Sequence, residues 1–230
     1  MRAGCNATIE IDKCYMQESM SSAFMLVNPC YFRMVESNLI RTQINSGVNI
    51  RWLSDSIDKH ISRIIDIQQN DFGHNYYCGI EIQGNSYSAH NLKIDISKNC
   101  IYRNKKEGLL IQNLAVTAVL LYGNEINKNE GDNLKISHVH HKVNRRYAFR
   151  VENCQIEYAK GGFGASFFDT SFVVKNCIVK GNQSGGVFIG CPEKPNGLLM
   201  DALFFLKKFP MPMKISNCEI THNMHYGVLV

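Results

Sequence analysis

The stretch "NCIYRNKKEGLLI", residues 99–111, has a second copy far along the chain, "NCEITHNMHYGVLV", residues 217–230. Aligned on Ile101 and Ile220, both copies carry cysteine or asparagine two positions earlier, glycine seven positions later and then alternating apolar residues. Other segments match this template to varying degrees, and their central residues are Met16, Ile40, Phe72, Ile126, Ile156 and Ile178. The uneven spacing of these centres indicates a fixed unit joined by variable loops.

Apolar residues also alternate before each central residue, which is typical of half-buried strands. Five positions before the centres stand Ile11, Val35, Ile67, Ile96, Leu121, Val151, Val173 and Ile215. A unit of about 22 residues cannot bury its apolar face alone, so the units must stack. Asparagine and glycine suit the turns because they tolerate positive φ. The pattern predicts an all-β protein, a right-handed, single-stranded parallel β-helix of about eight coils.

The two quoted segments also resemble the right-handed β-helix repeats of the carbohydrate-binding and sugar-hydrolase type. Such repeats occur in pectate-lyase-like enzymes, in certain F-box adaptor proteins and in Shc-binding spindle and ciliary proteins. The resemblance extends from about Thr8 to Val230. It implies the β-helix fold but not one function, because the same coil serves enzymes and non-enzymes.

A turn column lies two positions before the centres and is rich in asparagine and cysteine. Its predicted members are Cys14, Asn38, Asn70, Asn99, Asn124, Cys154, Asn176 and Cys218. Stacked asparagines can hydrogen-bond along the helix axis, and cysteine is a small buried substitute. In this alignment no two cysteines of the column fall on adjacent coils, which favours structural free thiols over disulfides.

An outward-facing column six positions before the centres supplies the candidate catalytic residues. Asp66 and Asp95 fall on adjacent coils, so their carboxylates are expected about 5 Å apart, a spacing that retaining glycosidases use. The resemblance implies, in addition, that calcium-dependent lyases of this fold hold their metal with such pairs. The alternative is a solvated, mildly repulsive pair of aspartates.

The outward column after the glycines is mixed and partly apolar: Asn49, Glu81, Leu110, Lys135, Phe188 and Leu229. An active polysaccharide cleft would cluster carboxylates and aromatic rings there, and the motifs of pectin hydrolases are absent from the sequence. Protein contact suits this column better. His138, His140 and His141 are placed in a loop, and their spacing from other ligand types favours a solvated basic loop over a zinc site.

A segment at residues 191–213 interrupts the repeat and is bracketed by prolines. Apolar residues recur in it at helical spacing, which predicts a short helix near residues 197–208. This helix either packs against its own coil or protrudes and binds a partner through Leu203, Phe204 and Phe205.

Net charge and leader patterns limit the classes of partner. The net charge is +5 and the basic residues are scattered along the sequence, so nucleic acid is not predicted as a partner. The longest apolar run is too short to span a bilayer, and no secretory signal opens the chain. A cytoplasmic location is expected, with the cytoskeleton and the cilium as candidate settings.

The ends of the repeat complete the prediction. Residues 1–230 are expected to form one β-helix domain without evident end caps, so we expect other proteins to contact both open ends. One end lies near Ile9 and the other is the last strand, at Gly227, Val228, Leu229 and Val230. The predicted function is a non-enzymatic β-helix scaffold or protein-interaction module within a larger assembly, with no cofactor and no metal. The alternative is a carbohydrate-active enzyme or glycan-binding β-helix that uses Asp66 and Asp95.

Overall fold

The computed structural model describes residues 2–3, 7–53, 62–84, 91–141, 149–190 and 212–230. The described residues form a right-handed parallel β-helix with three faces per coil. The first face contains β2 (Thr8–Asp12), β5 (Tyr31–Val35), β8 (Arg63–Gln68), β11 (Leu92–Ser97), the second half of β13 (Leu109–Tyr122), β16 (Phe149–Glu152), β19 (Phe172–Lys175) and β22 (Met213–Ser216).

The second face is an eight-stranded sheet that contributes one strand to each of eight coils. It contains β3 (Tyr15–Gln17), β6 (Asn38–Ile40), β9 (Asp71–Gly73), β12 (Cys100–Tyr102), β14 (Glu125–Asn127), β17 (Gln155–Glu157), β20 (Ile178–Lys180) and β23 (Glu219–Thr221). The third face contains β1 (Arg2–Ala3), β4 (Phe24–Val27), β7 (Val48–Arg51), β10 (Ile80–Gln83), the first half of β13, β15 (Leu134–His141), β18 (Phe163–Thr170), β21 (Gly185–Gly190) and β24 (Val228–Leu229).

Parallel pairing joins equivalent strands of neighbouring coils on every face. The first and third faces merge into one sixteen-stranded sheet because β13 continues from the third face of one coil into the first face of the next. The alternation seen in the sequence places every second side chain inside. Ile65, Ile94 and Val119, for example, stack in the core with at most 2% of each side chain exposed.

The register of coils two and seven differs from the prediction by one residue. Leu39 and Val179, rather than Ile40 and Ile178, pair with the central residues of the neighbouring coils and are fully buried. In each of these short strands two adjacent residues are aliphatic, so the local pattern fits either register. A slip of one residue exchanges the two faces of a strand, and packing against neighbouring coils selects the register.

The corrected register changes the membership of the asparagine and cysteine column. Ser37 replaces Asn38, and Cys177 replaces Asn176, so that Cys154, Cys177 and Cys218 occupy three adjacent coils. The prediction that no two cysteines of this column are neighbours was therefore wrong. The cysteines described in the structure are free thiols.

The predicted ladder of hydrogen bonds runs through this column. The side-chain oxygen of Asn99 accepts hydrogen bonds from the backbone N–H and the side-chain amide of Asn70, at 2.9 and 3.0 Å. Asn124 does the same for Asn99, at 3.0 and 3.1 Å. The amide of Asn124 then reaches Cys154 Sγ at 3.9 Å, where the cysteines continue the column. Cysteine thus substitutes for asparagine as expected.

Two of the expectations concern segments that connect strands, namely the insertion and the histidine loop. The predicted insertion, including the helix near residues 197–208, lies outside the described residues except for its end, where Met213 begins β22. The predicted histidine loop is wrong at its start, because β15 continues to His141. Within the described residues, no helix is long and apolar enough to cross a membrane.

Candidate functional site

A second asparagine ladder, which the sequence reading missed, forms the floor of an open groove at the turn after the second face. Asn75, Asn104 and Asn129 are fully buried there, three positions after the central residues. The side-chain oxygen of Asn104 accepts from the backbone and side-chain N–H groups of Asn75, both at 3.0 Å. Asn129 repeats the arrangement with Asn104. The ladder holds the turns of successive coils in strict register.

Coil six has alanine at the ladder position, and a neighbouring asparagine fills the gap. Asn133 accepts from the side-chain amide of Asn129 at 2.9 Å and donates to Asn182 at 3.2 Å. The ladder therefore continues past Ala159, whose backbone N–H donates to Asn182. The floor of the groove is continuous because a side chain from the start of β15 replaces the missing amide.

The two positions that flank each ladder residue point outward and form the walls. The first wall has positive φ on every coil and contains Glu18, Arg41, His74, Arg103, Lys128, Tyr158, Gly181 and His222. The second wall contains Met20, Gln43, Tyr76, Lys105, Glu130, Lys160, Gln183 and Met224. Cations are concentrated in coils two to six. In these coils, side chains 25–33 residues apart in the sequence thus meet on one surface.

The central part of this surface, which we call the basic groove, has a volume of about 470 Å³ and is lined by His74, Arg103, Lys105, Lys128, Glu130 and Lys160. Arg41 extends the first wall by one coil and forms an ion pair with Glu18 at 3.7 Å. Burial, and then the positive charges of Arg103, Arg41 and Lys160, lower the pKa of His74. The electrostatic potential at this histidine is therefore positive because several cations lie around it. A groove with a positive potential is suited to an anionic ligand.

The aromatic rings around the groove are already engaged. Tyr102 packs its ring against the backbone of Gly73 and makes an edge-to-face contact with His74, with 5.6 Å between ring centroids. Lys105 lies over the ring of Tyr76, with its Nζ 5.6 Å from the centroid. The ring of Tyr158 covers Gly181. The groove presents positive charge, and each of these rings makes one contact within the protein while Tyr76 and Tyr158 stay about half exposed.

Asp66 and Asp95 lie on adjacent strands in register, as the sequence predicted. The corrected register of coil two places Arg33 beside Asp66, where the prediction placed Met34. Arg33 Nε lies 3.6 Å from one oxygen of Asp66, and Gln68 donates to the other at 2.7 Å. Ser97 donates to Asp95. Both carboxylates are therefore engaged by side chains of their own face.

The outward column of the third face is in the predicted register, and Met25 and Ser166 complete it. Its carboxylate, Glu81, is only 4% exposed and accepts hydrogen bonds from Ser46, Asn49 and Gln83 at 2.8 to 3.0 Å. Burial raises the pKa of Glu81, while the hydrogen bond from Ser46 and the charge of Arg51 act in the opposite direction. This network ties β7 to β10 and uses the acceptor capacity of the carboxylate.

The predicted histidines and the predicted contact residues of the insertion lie apart from the basic groove or outside the described residues. His140 Nε2 lies 3.3 Å from Asp169 Oδ2, so His140 contacts β18 on the next coil of the third face. In the described residues, no group of three or more His, Cys, Asp or Glu side chains is arranged to hold a metal ion. Leu203, Phe204 and Phe205 lie outside the described residues.

The last coil described carries the other predicted contact residues. Gly227 and Val230 are exposed, Val228 is exposed by 44%, and Leu229 is half-buried. β24 pairs with β21 on one side. The core side chains of this coil, among them Ile220, are only partly buried.

The sequence contains a signal for the basic groove, but counting basic residues along the chain does not detect it. Both quoted repeats carry asparagine three positions after the central residue, at Asn104 and Asn223. Reading the residues on either side of that asparagine, coil by coil, would have brought Arg103, Lys128 and Lys160 together. The apparent scatter of basic residues is a scatter along the chain and not on the surface.

Comparison with known proteins agrees with the fold. The family model described as "Right handed beta helix region" matches residues 45–192, more than half of the chain. No curated protein and no solved structure matches the chain. The matched range contains the basic groove and both asparagine ladders. The chain belongs to the right-handed β-helix family.

Proposed function

We propose that this β-helix is a non-enzymatic interaction scaffold that binds an acidic partner protein along the basic groove. The observation that carries the proposal is the alignment of Arg41, Arg103, Lys128 and Lys160, on coils two, four, five and six, over a rigid asparagine floor. Long-range electrostatic attraction speeds association and favours partners of opposite charge. The β-helix fold is compatible with enzymes and scaffolds alike, so the proposal depends on the site and not on the fold.

The engagement of the acidic pair supports a scaffold over an enzyme. A glycosidase needs one carboxyl group held protonated and a second one free to attack or to activate water. Here Arg33 neutralises Asp66 and Ser97 is hydrogen-bonded to Asp95. We therefore interpret the pair as part of the outward side-chain ladder of the first face, as opposed to a catalytic dyad.

A second contact is proposed at Gly227, Val228, Leu229 and Val230. Exposed apolar side chains collect on this coil, including Met213 and Tyr226, and such patches mark interaction surfaces. A strand of a partner protein that pairs with β24 would bury them. The larger assembly, with a cytoskeletal or ciliary setting in the cytoplasm as the candidate, is part of the same proposal, and so is a contact through Leu203, Phe204 and Phe205.

The proposal is tested by comparing two sets of substitutions that remove the same charge. The groove set is Lys105→Gln, Lys128→Gln and Lys160→Gln. The control set is Lys93→Gln, Lys98→Gln and Lys175→Gln, which are exposed lysines on other surfaces. Lys98 and Lys128 also share positive φ, so the backbone effects match.

Quantitative affinity purification from the cells that produce the protein should recover acidic proteins with the wild type and the control set. The groove set should lose them. Identical recoveries with the two sets would overturn the proposal. Cleavage assays on pectin, alginate and glucan complete the test, because turnover that disappears in Asp66→Asn would establish the enzyme alternative instead.

A further inference from the structure

We infer that the occupant of the basic groove is an acidic α-helix of the partner protein, lying parallel to the axis of the β-helix. This inference rests on the proposed function and adds to it the conformation and the charge spacing of the ligand. The spacing of the groove residues from coil to coil matches the charge spacing of one kind of protein ligand better than that of another.

The coil spacing sets the repeat of the groove. Neighbouring parallel strands lie about 4.8 Å apart, so equivalent side chains of four successive coils span about 14 Å. In the first wall Arg41, Arg103 and Lys128 hold three of these four positions, and His74, whose pKa is lowered, holds the position between Arg41 and Arg103. The long arginine and lysine side chains give each charge a reach of several ångströms around its coil.

An α-helix presents side chains on one face about every 5.4 Å along its axis, so four acidic residues span about 16 Å. The difference from the groove is about 2 Å over the whole length, which flexible cationic side chains can absorb. An extended strand presents same-face residues about every 6.7 Å and would span about 20 Å. The charge repeat of the groove therefore favours the helix over the strand.

The arrangement of the aromatic rings favours protein over nucleic acid as the ligand. Proteins that bind single-stranded nucleic acid combine a cationic groove with aromatic faces on which bases stack. Here Tyr102 packs on Gly73, Tyr76 lies under Lys105 and Tyr158 covers Gly181. Each ring already makes one contact within the protein, which reduces the aromatic surface open to stacking even though Tyr76 and Tyr158 are 52% and 45% exposed. Recognition through charge therefore suits the groove better than recognition through stacking.

Glu130 is the acidic member of the groove lining and refines the ligand. It occupies the second wall on the same coil as Lys128, between Lys105 and Lys160. An acidic helix should approach with its glutamates facing the first wall and with a neutral or basic residue opposite Glu130. The partner helix should thus carry acidic residues on the side that faces the first wall and a neutral or basic residue on the side that faces Glu130.

The experiment uses two peptides of identical composition, each with four glutamates in an alanine-rich background and one proline. In the first, the glutamates lie at i, i+4, i+7 and i+11 and the proline occupies the first helical position, where it is tolerated. In the second, the glutamates alternate along the chain and the proline stands in the centre, where it breaks the helix. A single-stranded oligonucleotide of equal charge is the third probe. Binding is measured by fluorescence anisotropy at low ionic strength with the full chain.

We expect the helical peptide to bind about tenfold more tightly than its isomer. The groove set of lysine substitutions should weaken binding by about tenfold, since each exposed ion pair contributes modestly. The control set should change the affinity by less than about twofold. Added salt should weaken binding of the helical peptide because the charges are exposed.

Equal affinity for the two peptides, tighter binding of the oligonucleotide, or indifference to the groove set would each overturn the inference. The purification experiment keeps its failure distinct from failure of the proposed function. If the groove set loses acidic proteins from cells while the helical peptide has no advantage, the scaffold function stands and the helical ligand is wrong. If neither measurement responds to the groove set, both fall.

Discussion

Cys177 stacks on Cys154 of the preceding coil, and both residues are only 1% exposed. The adjacent Cys154 side chain and burial raise the pKa of Cys177. Cys154 stands where Asn124 stands one coil earlier, and its sulfur accepts from the amide of Asn124. The cysteines therefore complete an asparagine ladder with weaker acceptors.

Replacing Cys154 with asparagine should extend the ladder by one step. The new side chain would accept from Asn124 and could donate to the carbonyl of Leu121, which Cys154 Sγ now approaches at 3.7 Å. We expect Cys154→Asn to keep or raise the free energy of unfolding, by up to about 1 kcal/mol. Urea denaturation measures the effect.

The matched control is Cys154→Val, which is apolar and close in size. It removes one of the two acceptors of the Asn124 side-chain amide, which keeps its bond to the carbonyl of Ile96, and should cost about 1 kcal/mol because one buried N–H loses its partner. If valine proved more stable than asparagine at this position, the ladder interpretation of the cysteines would be wrong.

The floor of the groove can be tested at Asn104. This side chain accepts from the backbone and side-chain N–H groups of Asn75 and donates to the carbonyl of Phe72 and to Asn129. Asn104→Ala leaves several buried groups unpaired, so we expect a loss of about 3 kcal/mol in the free energy of unfolding.

A half-buried asparagine outside both ladders, Asn127, provides the comparison. Asn127→Ala should change the free energy of unfolding by less than about 0.5 kcal/mol, as is usual for surface substitutions. Similar losses from the two variants would contradict the role assigned to the ladder.

The glycine of the repeat is required where another coil covers it. A Cβ at Gly108 would lie 2.5 Å from Asn129 Nδ2 and 2.6 Å from the carbonyl oxygen of Asn133, closer than side chains tolerate. A Cβ at Gly227 would meet nothing nearer than an Ile220 methyl at 4.0 Å. Gly108→Ala should therefore cost about 1–3 kcal/mol through overpacking, while Gly227→Ala should leave the free energy of unfolding of the isolated chain nearly unchanged.

The same variant tests the proposed contact at the last coil. If a further coil covers Gly227 in the working assembly, Gly227→Ala should weaken that assembly in a size-exclusion or co-purification assay without destabilising the isolated chain. An assembly that tolerates alanine at this position would count against coverage of the last coil.

The pH dependence of stability should carry a contribution from Glu81. Burial raises its pKa above the ordinary value of 4.5, so the folded state binds more protons than the unfolded state between these two values. The free energy of unfolding should therefore fall as the pH rises from 4.5 through the raised pKa of the folded state. Glu81→Gln has no titrating group and should flatten this part of the profile, which urea titrations at a series of pH values would show. An unchanged slope would mean that other groups, such as Asp132, dominate.

Binding of a ligand in the groove should change the pKa of His74. Burial and the neighbouring cations lower its pKa below the ordinary value of 6.5 in the free protein. An acidic ligand would screen the positive charges of the groove, on Arg41, Arg103, Lys105, Lys128 and Lys160. The pKa of His74 should then rise, so the protein would take up protons on ligand binding at a pH close to this pKa. NMR titration of the imidazole with and without the helical peptide measures the change. A pKa that stays the same or falls on binding would place the peptide elsewhere.

The β-helix, its eight coils and the presence of an asparagine ladder could be predicted from local sequence patterns alone. These features depend on local alternation and on residues at fixed distances from each central residue, such as Asn99 before Ile101 and Gly108 after it. Strand alternation and turn preference act within one coil, so a single repeat already contains them.

Only the tertiary structure decided the register of coils two and seven, the stacking of Cys154 on Cys177, and the basic groove. In the strand that contains Leu39 and Ile40 either aliphatic side chain could face the core, and packing against Phe72 on the next coil selects Leu39. The groove arises because each coil moves the chain by only about 4.8 Å along the axis, which brings Arg103 next to Lys128 across 25 residues of sequence. Contacts between coils are nonlocal. The surface that the coils form can be predicted from the sequence only when the register of every intervening coil is predicted correctly.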